Sequence, residues 1–343
     1  MELNRVQRDW PVAAKKEMDK VAVGQNNYKK ALLMAVFRQL NTGQENHFMV
    51  MGPTGSGKTF IIECLKRITC LPKDYTVMIS NVSGLTEAGV VGQSLEDIFS
   101  EYKQKCKAEQ NLRYRGLIYI DEIDKLISPS YVVAGNGQSD KNVSVQHQLM
   151  KILDGGMIEG VPLNNVLFVF GGAFYQLANM SKEEVKHNPI GFCNTEPEQS
   201  LAISDSTIRD KLIEAGFQRE FLGRISKIVE LEPLTRNELT AILMHPVRGV
   251  IPILQRSMET DGIELIVKKS AVSGIIDAVV KEKLGARSAR NILENILDGS
   301  WFECLENGYD RIVIDVETLK NGKIIYEKKS SSKELKKKIE KIS

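Results

Sequence analysis

The stretch Gly52-Pro53-Thr54-Gly55-Ser56-Gly57-Lys58-Thr59 has the residue types and spacing of a loop that wraps phosphate. Its glycines leave backbone amides free to curl around an anion, Lys58 suits the β- and γ-phosphates, and the Thr59 hydroxyl suits Mg²⁺. The loop follows the apolar run Phe48-Met49-Val50-Met51 and precedes Phe60-Ile61-Ile62-Glu63-Cys64-Leu65-Lys66. A strand is therefore expected to feed the turn, and the turn a helix whose N-terminus adds partial positive charge at the phosphates. Phe60, at the start of that helix, joins Gly52 to Thr59 in the expected nucleotide contact.

A second group lies further along, in Leu117-Ile118-Tyr119-Ile120-Asp121-Glu122. An apolar run ending in two carboxylates is, alone, an ordinary solvated strand end. Together with the phosphate loop it reads as the other half of a nucleoside-triphosphate site. Asp121 would hold Mg²⁺ through water, and Glu122 would orient and polarise an attacking water.

Several elements must position these groups. Val21-Ala22-Val23-Gly24-Gln25 precedes a helix with Ala31, Leu32, Ala35, Val36 and Leu40 at apolar positions. Tyr75 to Ile79 reads as a strand, and Ser94 to about Ala108 as a helix with Leu95, Ile98, Phe99 and Tyr102 on one face. A polar loop is expected from Ile127 through Asn142, then a helix around Gln146 to Leu153. Val166 to Phe170 is a further strand, and Gly171-Gly172 at its end offers no polar side chain. Nearly continuous apolar strands alternating with helices predict an α/β fold with a parallel sheet covered on both faces.

From Thr235 the texture changes to helical patterns at Arg236–Leu243, Ala271–Leu284 and Ala286–Leu297, with a brief strand at Glu264–Val267. The expected organisation is an N-terminal extension (1–20), a nucleotide-binding domain (21–234), a small helical domain (235–318) and a lysine-rich tail (319–343), its end from Lys328 expected as a solvated tail or frayed helix.

With 343 residues, 42% of them hydrophobic and 26% charged, the chain reads as globular, and its net charge of +2 argues for neither nucleic acid nor anionic lipid as partner. Cys64, Cys70, Cys106, Cys193 and Cys304 form no Cys-x-x-Cys pair and have no close histidine, so neither zinc nor a disulfide framework is expected. Nothing resembles a signal peptide or a membrane span, which points to the cytosol.

Six segments, in order, carry a family resemblance: Gly52–Thr59, Leu85-Thr86-Glu87-Ala88-Gly89, Ile120-Asp121-Glu122-Ile123-Asp124-Lys125, Gly171-Gly172-Ala173-Phe174, Glu220-Phe221-Leu222-Gly223-Arg224 and Gly285-Ala286-Arg287. The chain resembles the ClpX-type unfoldases, AAA+ ATPases of the Clp/HSP100 family, over about Val21 to Ile314. The resemblance implies a P-loop NTPase core with a three-layer α/β fold and a helical lid, and a homo-hexameric ring that hydrolyses ATP with Mg²⁺ to unfold protein substrates. It further implies that Ala22, Val23 and Gly24 contact adenine and that Arg224 is a finger reaching the ATP of the neighbouring subunit. Arg287 would touch the γ-phosphate of its own subunit.

The chain departs from the family pattern in four places. No four-cysteine zinc module precedes Val21. Within Gly89-Val90-Val91-Gly92, Val90 stands where the family has the aromatic residue that grips a translocating chain. A second pore segment, Asn142-Val143-Ser144-Val145-Gln146, is shortened, and the turn Ile158–Asn165 lacks the family's basic pore-entrance loop. Ile190-Gly191-Phe192, by contrast, matches the tripeptide that docks on a ClpP-type peptidase. A nucleotide-driven switch acting on one partner without threading is the alternative, and Val90 favours it. A nucleic-acid motor would need a basic stripe or stacking aromatics, and neither is visible.

Overall fold

The computed structural model describes residues 6–82, 94–127, 131–134, 137–175, 205–282 and 285–328. The sequence expectations for Leu85–Gly89, Val90, Val91, Ile190, Gly191 and Phe192 lie outside the described residues. Two compact units are present: Met1–Pro53 with Gly57–Glu232, and Pro233–Ser343 with the loop tip Thr54–Ser56.

The first unit opens with helices α1 (Trp10–Asp19) and α2 (Asn26–Thr42), strand β1 (Phe48–Met51) and helix α3 (Lys58–Leu65). Next come β2 (Thr76–Asn81), α4 (Leu95–Ala108) and β3 (Gly116–Asp121). A hairpin of β4 (Tyr131–Ala134) and β5 (Gly137–Asp140) runs into α5 (Lys141–Leu153), and a smaller one pairs β6 (Met157–Ile158) with β7 (Val161–Pro162). Strand β8 (Val166–Gly172), helices α6 (Asp205–Glu214) and α7 (Arg219–Gly223), and strand β9 (Lys227–Glu230) complete it.

The five-stranded sheet runs β2-β3-β8-β1-β9 with every neighbouring pair parallel. Successive side chains on a strand point to opposite faces. Met49, Ile118, Ile120, Phe168 and Phe170 enter one apolar cluster, while Phe48, Val50, Leu117, Tyr119, Leu167 and Val169 enter another. Both faces are therefore covered, which is why these strands read as unbroken apolar runs rather than alternating ones. The register sets Met51 beside Gly172 and Asn81 beside Asp121, so β1, β2, β3 and β8 end along one edge. In open parallel sheets that carboxyl edge is where ligands bind.

Three first-unit elements differ from the sequence expectation. Within the expected extension, α1 buries Trp10, Ala14 and Met18 in the core, and the Trp10 indole donates to the Cys70 carbonyl at 2.7 Å. The segment read as a polar loop through Asn142 contains the β4–β5 hairpin. Helix α5 starts at Lys141, earlier than expected; the apolar period is hidden there because Asn142 and Gln146, both buried, bond inward to the carbonyls of Lys125 and Gly216.

The second unit comprises α8 (Arg236–Leu243), α9 (Val250–Glu259), β10 (Glu264–Val267), α10 (Lys269–Glu282), α11 (Ala286–Asn307), β11 (Arg311–Ile314), α12 (Val316–Asn321) and β12 (Ile325–Glu327). Its core gathers Leu239, Leu243, Ile275, Leu293, Leu297 and Ile312. The helices are joined by a three-stranded sheet, β10-β11-β12. The segment expected as a lysine-rich tail from 319 opens with the end of α12 and with β12, which pairs antiparallel with β11, while Tyr326 stacks on Tyr309 at 5.2 Å.

Candidate nucleotide site

The loop from Gly52 to Gly57 joins the end of β1 to the first turn of α3. Gly57 caps the helix with φ +94°, a region that side chains disfavour. Gly52 is held by proximity instead: a Cβ there would lie 2.6 Å from the Leu231 Cβ. The Ser56 hydroxyl is buried with no hydrogen-bond partner among the described residues. A buried polar atom without a partner is costly, and a phosphate oxygen would satisfy it. The loop therefore fits an anionic phosphate on this protein's own geometry.

Lys58 is buried, and its ammonium donates to the carbonyls of Gly52 at 2.5 Å and Pro53 at 3.0 Å. Burial pushes its pKa below the usual lysine value, and the Asp121 and Asp124 carboxylates pull it back up. A bound phosphate would act in the same direction as those carboxylates, favouring the charged form. The Tyr28 hydroxyl donates to the Lys58 carbonyl at 3.3 Å, tying α2 to the start of α3.

Thr59 and Asp121 meet directly, Oγ1 to Oδ2 at 2.6 Å, although they come from α3 and β3. Two hard oxygen donors in contact at the head of a phosphate loop suit Mg²⁺. The other Asp121 oxygen accepts from the Tyr119 hydroxyl at 3.2 Å and from the Glu122 amide at 2.9 Å. Burial raises the Tyr119 phenol far above its ordinary range, so it stays a donor. Glu122 has φ +61°, a rare conformation for a residue with a side chain. Its carboxylate accepts from Lys125 at 2.5 Å in a pair that is about half exposed. Such exposed pairs contribute at most about 1 kcal/mol, so the carboxylate can leave Lys125 at little cost.

Of the other expected site residues, Ala22 is buried, and its carbonyl accepts from Lys29 at 2.5 Å. Lys29 also reaches Asp19 at 2.8 Å, and the positive φ of Gly24 and Gln25 turns the chain into α2. Val23 is half-buried beside them, and Phe60 is exposed on α3. Arg287 is exposed in the first turn of α11 in the second unit. Arg224 does not join the groups around Thr59 and Asp121; its guanidinium forks onto Asp154 and also donates to the Glu220 carbonyl.

The structure thus brings Lys58, Thr59, Asp121 and Glu122 together. Tyr119, Lys125, Lys29 and Asp154 have no role in the sequence reading. The Tyr119 ring sits in an apolar strand pattern, and the other three look like solvated charges. Lys125 alone falls in a segment that carries the resemblance, and each of the four acquires its meaning from its partner.

The AAA domain (Cdc48 subfamily) family model matches residues 44–228, more than half of the chain. The chain is 32% identical to the ATP-dependent Clp protease ATP-binding subunit ClpX 2 of Wolinella succinogenes, over 88% of this chain and 81% of that protein. It is 29% identical to the subunit ClpX of Treponema denticola (91% and 81% covered) and 30% identical to that of Borrelia duttonii (85% and 74%). The phosphate loop, its acidic partner strand and this breadth of similarity agree: the chain belongs to the ClpX-like AAA+ ATPases, and it is an ATPase.

Proposed function

We propose that the chain is the ATP-hydrolysing subunit of a homo-hexameric ring that unfolds or remodels protein clients. Hydrolysis rests on the contact between Thr59 and Asp121 at the head of the phosphate loop, with Glu122 next in sequence. The loop amides and the Ser56 hydroxyl hold the phosphates, and Lys58 exchanges loop carbonyls for phosphate oxygens. Thr59 and Asp121 would hold Mg²⁺, and the ion would supply neutralisation of phosphate charge. Glu122 orients a water that attacks the γ-phosphorus and accepts its proton as the bond to the β-phosphate oxygen breaks. Ala22, Val23 and Gly24 line the adenine, and Arg287 touches the γ-phosphate of its own subunit.

Arg224 extends to the ATP of the neighbouring subunit in this reading. Arginine fingers are worth about 10³ to 10⁵ in rate, so hydrolysis would depend on assembly. The relatives' names, subunits of a Clp protease, support protein clients and a ClpP-type peptidase docking at Ile190-Gly191-Phe192. Val90 and Val91 would face the translocating chain. Val90, lacking an aromatic face, favours the second reading, a switch that remodels one partner without threading.

Mixed rings test the proposal. Glu122→Gln and Arg224→Ala subunits should each hydrolyse ATP at a small fraction of the wild-type rate. Mixed together they should recover part of it, since some interfaces then join an intact Glu122 to an intact Arg224. No recovery in rings shown by native mass spectrometry to be mixed would exclude a finger acting in trans.

A further inference from the structure

Arg224 caps the C-terminal end of α7, a helix of only five residues that gives its backbone little rigidity of its own. Arg209 on α6 supplies what is missing. Its guanidinium donates to the Leu222 carbonyl at 2.5 Å and the Ile225 carbonyl at 2.7 Å, one on each side of Arg224. With the backbone pinned, the remaining freedom of Arg224 is in its long side chain.

Asp154, the residue after α5, takes up that freedom. Arg224 Nε donates to Oδ1 at 2.5 Å and Nη2 to Oδ2 at 2.8 Å, a planar fork that fixes the plane of the guanidinium. Nη1 donates to the Glu220 carbonyl at 2.8 Å. A guanidinium has five N–H donors. Three are engaged here, and one on each terminal nitrogen has no partner among the described residues. The pair lies at the surface, with the side chains 34% and 54% exposed, so an incoming phosphate can reach it. Each group holds the other's charge: the fork lowers the Asp154 carboxyl and raises the Arg224 guanidinium from their ordinary values.

We propose that Asp154 is a positioning residue for Arg224, holding its guanidinium in one orientation so that the two uncommitted N–H groups are presented to the phosphate of the neighbouring subunit. The inference rests on the trans-finger reading above. An arginine has large rotamer freedom, and a finger ordered beforehand by a fork loses less on meeting the phosphate. Asp154→Asn is nearly isosteric at a half-exposed site, so the fold should survive while the orientation loosens. The turnover number of a uniform Asp154→Asn ring should fall about tenfold.

The decisive experiment places Asp154→Asn in one partner of the mixed ring at a time. In the recovered interface, Arg224 comes from the Glu122→Gln chain and Glu122 from the Arg224→Ala chain. Asp154→Asn in the Glu122→Gln chain should lower the recovered rate about tenfold. The same substitution in the Arg224→Ala chain, which has no finger to position, should leave it intact. Equal loss in both arms means a structural or interface role, and no loss in either means that Arg224 needs no guide; each overturns the proposal. A parent mixture that never recovers would instead remove the trans finger itself, and with it any role for Asp154 in orienting one.

Discussion

The space a side chain at Gly171 would take is filled by Tyr119: a Cβ built there lies 1.8 Å from the tyrosine hydroxyl. That hydroxyl donates to Asp121, so the missing side chain on β8 is what lets β3 orient its own carboxylate. Gly171→Ala must displace the buried Tyr119 ring, and overpacking of this kind costs about 1–3 kcal/mol. Urea unfolding should register that loss, and the Mg²⁺ concentration giving half-maximal ATPase should rise. Tyr119→Phe separates the two effects: it keeps the ring, costs about 1 kcal/mol for the lost hydrogen bond, and should still raise the Mg²⁺ requirement. An unchanged Mg²⁺ dependence in both variants would mean that Asp121 needs no support from Tyr119. The site's own groups, Lys58, Thr59, Asp121 and Glu122, were legible because loop and acidic strand each announce them in consecutive residues. The supports were not, since Tyr119 depends on a glycine in another strand and Asp154 on an arginine in another helix.

At the scale of elements, the sheet was legible for a physical reason: strands buried on both faces have nothing but apolar residues to place, as in Leu117-Ile118-Tyr119-Ile120. Helix α1 was not, because only Trp10, Ala14 and Met18 face the core, and lysines and acids dominate the rest. Its docking also relies on polar contacts invisible in one dimension, such as Glu17 accepting from the Thr69 amide at 2.6 Å and its hydroxyl at 2.7 Å. Helix α11 runs to Asn307, beyond the expected end near Leu297, through Asp298-Gly299-Ser300, where Ser300 turns its hydroxyl back to the Ile296 carbonyl at 2.8 Å. If α1 is part of the cooperative core, Trp10→Ala should lower the stability of the first unit by about 3 kcal/mol. Urea unfolding followed by circular dichroism would measure this, and an unchanged midpoint would return residues 1–20 to the status of an extension.

For the whole molecule, composition and a net charge of +2 carry no information about assembly or clients. On the proposed reading that information sits in a few side chains that would act on other chains, and Val90 is the one whose replacement discriminates most between threading and switching. A valine offers much less contact area than an aromatic ring and no flat face with which to hold a moving polypeptide. Unfolding a client domain requires work against about 5–15 kcal/mol, so a ring with a weak grip should slip on stable clients first. Clients that are locally frayed present less resistance and should still be processed. Val90→Tyr supplies the aromatic side chain at that one position. It should raise the rate at which a stable fluorescent domain loses its signal more than the rate for an unfolded version of the same domain, with basal ATPase little changed. If the wild-type ring already unfolds the stable domain as well as the variant, grip comes from other residues. If neither ring processes any polypeptide while both hydrolyse ATP, the nucleotide cycle drives a switch on a bound partner, and threading is not what this chain does.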